Sequence, residues 1–123
     1  DTVYPGRLYV KDYPAFVASI DRLAQFASRN PVGAILGCHI EMTTTPGLDY
    51  PIGVTYQPDE RPLPLTVNQL LRVREATRAV ADRPGAHAFD DVVIFNGACR
   101  AAVARQLIRA LRQRLRPAGK QPV

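Results

Sequence analysis

The chain has 123 residues, which suits one domain or part of one, and its composition is that of an ordinary globular protein. No apolar run approaches the roughly 18 residues of a membrane-spanning helix, so the sequence predicts no membrane span. The net charge of +5 is unevenly spread, because residues 98–123 contribute +7 and residues 1–97 contribute −2. The chain opens at Asp1 without a Met, which favours a piece of a longer protein. Separately, we expect the protein to be cytoplasmic.

The first predicted element is a helix that follows a Pro-Gly turn and a loop through Val10. Asp12 and Pro14 are typical of a helix start, and apolar residues then recur at helical spacing. Asn30 precedes a proline and is therefore pushed out of the α region, which predicts the end of this helix.

Residues 32–38 are a short apolar run between turn residues, which predicts a strand buried on both faces. His39 comes directly after it. Ligands of open α/β sheets bind beyond the carboxyl ends of the strands, so His39 is a candidate functional residue. The alternative is an ordinary half-buried imidazole bonded to a carbonyl group.

The segment 43–64 is rich in Pro and Gly and is longer than the roughly 12–15 residues usual for loops in compact domains. Its apolar and aromatic side chains favour an ordered loop that packs on the body. A variable surface insertion is equally compatible with its composition.

The remaining elements are two helices and a strand. Thr66 and Gln69 have the spacing of a capping box, which predicts a helix that ends near Pro84. Residues 92–95 have strong β propensity, and residues 98 to about 115 predict a last helix. Strands separated by helices are typical of an α/β fold.

Four segments, taken together, resemble the C-terminal half of a metallo-β-lactamase-fold metallohydrolase. These segments are residues 1–10, 13–23, 36–43 and 46–60. The resemblance covers about residues 1–95 and implies half of an αββα sandwich, with a short mixed sheet and helices packed on one face. It divides the chain into residues 1–97, the half-domain, and residues 98–123, a basic C-terminal helix and tail.

The resemblance also implies a zinc site, with two ions in the complete enzyme. Asp1 would be a carboxylate that bridges both metals, and His39 would be a ligand of the second metal. Zinc binds both donor types, and a hydroxide between two such ions attacks carbonyl or phosphoryl centres. Glu41 would orient an imidazole or contact the substrate loop, although a solvated carboxylate is an alternative.

The implied function is the C-terminal part of a zinc-dependent hydrolase that acts on an ester, thioester, lactam or phosphoester. The loop 44–64 would wall the pocket for this small-molecule substrate. Tyr50, Tyr56 and Arg61 would be the candidates for substrate contact.

The chain departs from the family pattern in its metal donors. The His-x-His-x-Asp-His cluster is absent, and the only other histidine, His87, stands in a predicted loop with no matching role. One Asp and one His cannot hold two metal ions, so the missing N-terminal half of the domain is the expected partner.

The alternative function is a non-catalytic binding or interaction module with a basic C-terminal helix. Such a helix could lie on nucleic acid or on an anionic membrane. Nucleic acid is disfavoured, since no recognised binding motif and little aromatic interleaving are present. An exposed sheet face of a half-sandwich would favour a homodimer.

Overall fold

The computed structural model describes residues 3–97 and 100–115. The chain forms a small α/β domain with five short strands and three helices in the described residues. Their order is β1 (Arg7–Val10), α1 (Tyr13–Arg29), β2 (Ile35–Leu36), β3 (Pro64–Leu65), α2 (Val67–Val80), β4 (Gly85–Ala88), β5 (Val93–Asn96) and α3 (Arg100–Leu115).

Three strands form a short mixed sheet in the order β1-β5-β4. β1 is parallel to β5, with Leu8 opposite Ile94, and β4 is antiparallel to β5. The central strand β5 is buried along its whole length. β2 and β3 form a separate two-residue antiparallel pair. The predicted α/β class and the short mixed sheet are therefore confirmed.

Local capping determines where α1 and α2 begin. The Asp12 carboxylate accepts a hydrogen bond from Ala15 N at 3.0 Å, and α1 ends at Arg29 with Asn30 as its C-cap, as predicted. The Thr66 hydroxyl and the Gln69 amide form the reciprocal bonds of a capping box at the start of α2. Both predicted helix starts are confirmed. They were predictable because each capping bond joins residues only three positions apart.

The two faces of the sheet are covered differently. α1 and α2 pack on one face, where the main core contains Leu8, Val10, Tyr13, Ile20, Val73, Ala76, Val80, Val92 and Ile94. On the other face, Val93 and Phe95 cluster with Met42, which directly precedes the long loop. All three are at most 3% exposed. The homodimer expectation depended on an exposed sheet face, and these three residues do not provide one.

The predicted buried strand at residues 32–38 is wrong in extent and in burial. Only Ile35 and Leu36 are in a strand, and Leu36 is 65% exposed. The pair formed by β2 and β3 lies outside the three-stranded sheet, and Gly33 and Gly37 stand on either side of β2. Apolar composition alone does not reveal whether a short run has strands on both sides.

Two strands occupy segments that the sequence predicts as loops. β1 covers residues 7–10, and β4 contains His87, so the placement of His87 in a loop is wrong. β4 reads Gly-Ala-His-Ala, a composition with little intrinsic strand preference, and its pairing with β5 determines its conformation.

Candidate functional site

His39 stands after β2 in a segment that packs closely against the start of the chain. The His39 and Tyr4 ring centroids are 4.1 Å apart. A Cβ at position 37 would lie 2.4 Å from the Cβ of Tyr4, so this approach requires Gly37. Pro5 O accepts hydrogen bonds from Glu41 N at 2.7 Å and Met42 N at 3.0 Å, which fixes the two segments side by side.

The imidazole of His39 is flanked by a thiol and a carboxylate. Its Nδ1 lies 3.0 Å from Cys38 Sγ, and its Nε2 lies 3.6 Å from Glu41 Oε1. Half of the His39 side chain is exposed to solvent. The ring is therefore accessible, and a carboxylate stands beside the nitrogen that faces away from the thiol.

Arg7 positions that carboxylate. Its Nη2 donates to Glu41 Oε1 at 2.8 Å, and its backbone N–H donates to Glu41 Oε2 at 2.7 Å. Both oxygens of Glu41 are thus engaged by one residue of β1. The orientation of Glu41 toward His39 is consequently fixed by the sheet rather than by the loop alone.

The same guanidinium anchors the long loop through buried ionic contacts. Arg7 Nη1 donates to Asp49 Oδ2 at 3.2 Å and to Tyr50 O at 2.6 Å, and Asp49 is fully buried. Arg105 of α3 also pairs with Asp49, at 3.3 Å. Burial alone lowers the pKa of Arg7, but the Glu41 and Asp49 carboxylates outweigh it, and the pKa is raised.

Burial raises the pKa of Tyr4 above its ordinary value, because it disfavours the charged phenolate, and the Glu41 charge adds to that effect. The Tyr4 hydroxyl donates to Arg7 O at 2.6 Å. Tyr4 therefore stays neutral at physiological pH, where it serves as a packing surface for the imidazole.

The other predicted metal ligand, Asp1, lies outside the described residues, so its distance from His39 stays a prediction. Tyr4, which contacts the imidazole, comes three residues after Asp1 in the chain.

The three candidate substrate residues differ in exposure and partners. Tyr56 is 67% exposed. Tyr50 is buried, and its hydroxyl accepts a hydrogen bond from Asp59 N at 2.8 Å. Arg61 donates to Thr43 O at 2.8 Å and forms an ion pair with Asp91. Tyr50 joins the His39 surroundings through Arg7. Arg61 bonds to Met42 O and Thr43 O, just after Glu41, and its partner Asp91 also pairs with Arg72 of α2.

The long loop carries main-chain pairing of its own. Met42 bridges to Asp49, and Thr43 bridges to Glu60, both in antiparallel fashion. Together with the buried Tyr50, this pairing favours the ordered loop over a variable insertion.

Sequence reasoning missed Arg7 and the buried carboxylates Asp49 and Asp91. The available signal for Arg7 was its place at the start of an apolar run, Arg7–Val10, that forms a strand. Asp91 accepts from Gln69 at 3.2 Å and Arg72 at 2.8 Å, contacts that link the start of α2 to the start of β5.

The described residues do not by themselves fit a zinc centre. Among residues 3–97 and 100–115, no group of three or more His, Cys, Asp or Glu side chains could hold a metal ion. Cys38 and Glu41 are the donor types next to His39, and Glu41 is already neutralised by Arg7. A structural or catalytic zinc needs at least three protein ligands, so further donors are required.

Comparisons of the chain with protein-family models, with curated proteins and with solved structures found no match. No helix in the described part of the chain is long and apolar enough to cross a membrane.

Proposed function

We propose that this chain is the C-terminal part of a zinc-dependent hydrolase, half of an αββα sandwich, to which it contributes His39 as a metal ligand. The substrate would be a small ester, thioester, lactam or phosphoester, and the protein would act in the cytoplasm. The observation that carries the proposal is the packing of Tyr4 on the accessible imidazole of His39.

This packing brings the start of the chain to the candidate ligand. Three residues of extended chain span no more than about 11 Å, so the proposal requires Asp1 to reach the metal within that distance of Tyr4. A carboxylate and an imidazole are both donors that zinc accepts. The proposal requires the remaining donors of the two zinc ions to come from the N-terminal half of the domain, its proposed partner.

The surroundings of His39 suit this role. Glu41 lies 3.6 Å from Nε2 and is held by Arg7, which gives it the position of a carboxylate that orients an imidazole. Among the candidates for substrate contact, Tyr56 presents an exposed ring, while Tyr50 and Arg61 would act by shaping the loop.

A zinc titration of the 123-residue chain, followed by the NMR signals of its two histidines, tests the proposal. We expect weak binding that shifts the His39 ring signals and leaves those of His87 unchanged, because His87 Nε2 lies 2.9 Å from Arg83 O. Asp1→Ala should weaken the His39 response about tenfold or more, equivalent to about 1.4 kcal/mol of binding free energy.

His87→Ala is the matched control, since it removes the other histidine and should leave zinc binding unchanged. A His39 that does not respond to zinc, or a response that is indifferent to Asp1→Ala, would overturn the proposed metal site.

A non-catalytic interaction module is the second candidate function, and the exposed apolar residues of α3 favour it. A homodimer is the simplest such assembly. Two copies of the segment 98–123 would each carry +7, so their charges oppose a dimer built on this helix.

A further inference from the structure

One side of α3 is apolar and exposed. Three of its members, Val103, Leu107 and Leu111, lie four residues apart, and Ile108 lies three residues before Leu111, which places them on one side of the helix. They are Val103 at 60% exposure, Leu107 at 59%, Ile108 at 49% and Leu111 at 57%.

A different side of α3 faces the body of the protein. Arg105 pairs with the buried Asp49, and the side-chain amide of Gln106 is buried without a hydrogen-bond partner among the described residues. The helix also contacts β4. The described side chains that attach α3 are thus polar, and its described apolar side chains are exposed, the reverse of an ordinary surface helix.

The charge of this segment has one sign. Residues 98–123 contain seven basic residues and no acid, whereas the rest of the chain is nearly neutral. The basic residues are Arg100, Arg105, Arg109, Arg112, Arg114, Arg116 and Lys120. An exposed apolar side combined with a dense positive charge is typical of helices that lie in the interface of anionic membranes.

We propose that α3 binds an anionic lipid bilayer surface. The apolar side of the helix enters the boundary between headgroups and acyl chains. The basic positions beside it, Arg100 three residues before Val103 and Arg114 three residues after Leu111, meet the lipid phosphates. The domain then rests on the membrane through this helix and does not cross it.

Charge and side-chain chemistry favour this occupant over two others. A second copy of the helix would bring like charges together. Nucleic acid would satisfy the basic residues but would leave Val103, Leu107 and Leu111 in water, because single-strand binding uses aromatic stacking and duplex binding uses phosphate and base-edge contacts. An acidic protein with an apolar groove remains an outcome of the test.

Co-sedimentation of the 123-residue chain with lipid vesicles tests the proposal. We expect binding to vesicles of phosphatidylcholine with phosphatidylglycerol to be about tenfold or more stronger than to phosphatidylcholine alone, and to weaken as salt is added. Equal partition into both vesicles, or binding to neither, would overturn the proposal.

Two variants separate the apolar contribution from the charge. Replacing the four exposed residues together, V103Q, L107Q, I108Q and L111Q, should abolish vesicle binding without altering the circular dichroism of the domain. The charge variant R100Q/R114Q, which changes the two basic positions beside the apolar side, should weaken binding to the anionic vesicles. The matched control L23Q/F26Q removes two exposed apolar residues of α1, at 47% and 61% exposure, and should bind like the unchanged chain.

Retained vesicle binding in the four-residue variant, or equal loss in the α1 control, would contradict insertion of α3. Sedimentation velocity identifies other occupants. A dimer of the unchanged chain that the four-residue variant abolishes, without vesicle binding, would assign this side of α3 to a second copy. Binding of poly-glutamate in place of vesicles would assign it to an acidic protein.

Discussion

Arg7 carries a buried positive charge that joins the sheet, the candidate site and the long loop. It is 7% exposed and contacts two carboxylates, those of Glu41 and Asp49. Removing one partner from a buried ionic cluster leaves the opposite charges without compensation in a poorly solvated place. Loss of Arg7 should therefore disturb both the stability of the domain and the orientation of Glu41.

We predict that Arg7→Met lowers the free energy of unfolding by about 3–5 kcal/mol, since it leaves Asp49 and Glu41 buried with less compensation. Urea denaturation measures this change. Arg78→Met is the control, because Arg78 forms an exposed pair with Asp21 at 2.9 Å and should cost only about 0–1 kcal/mol. Equal effects of the two substitutions would show that the Arg7 cluster contributes no more than a surface ion pair.

At the scale of single residues, His39 was predictable from the sequence, and its neighbours Tyr4 and Arg7 were not. His39 stood out because it is one of only two histidines and follows an apolar run. Tyr4 and Arg7 gave no comparable signal, since their contacts with His39 and Glu41 join residues more than thirty positions apart. Such contacts depend on which segments become neighbours, and a local pattern does not encode that.

At the scale of elements, the starts of α1 and α2 and the strand β5 were predictable from the sequence, whereas β1, β4 and the short extent of β2 were not. Asp12 and Thr66 cap their helices by bonds to residues three positions away, so the sequence contains the whole interaction. β4 exists because it pairs with β5, and β2 has only β3 as a neighbour. Strand identity is set by such nonlocal pairing more than by composition.

The capping box of α2 gives the prediction at this scale. Thr66→Ala removes the acceptor for Gln69 N and should lower the free energy of unfolding by about 1 kcal/mol. Thermal or urea denaturation measures the loss. Asn68→Ala, an exposed position in the same turn, should change stability far less. If both substitutions had the same effect, helix propensity rather than capping would dominate the start of α2.

For the molecule as a whole, the order of helices and strands was enough to predict an α/β class. That order was not enough to predict which side of α3 faces the body of the protein. The apolar line through Val103, Leu107 and Leu111 was visible in the sequence, yet an ordinary amphipathic helix would bury it. In the structure these three residues are 57–60% exposed, and Arg105 pairs with Asp49 from a different side of the helix.

Attachment of α3 to the body should therefore depend on the pair between Arg105 and Asp49. We predict that Arg105→Gln speeds hydrogen exchange of α3 amides about tenfold, equivalent to about 1.4 kcal/mol of local opening free energy. Amides of α1 and α2 should keep their exchange rates, since Asp49 retains Arg7. Arg100→Gln changes the same charge on an exposed position of α3 and serves as the control. Unchanged α3 exchange in Arg105→Gln would show that contacts with β4, and not the ion pair, hold the helix in place.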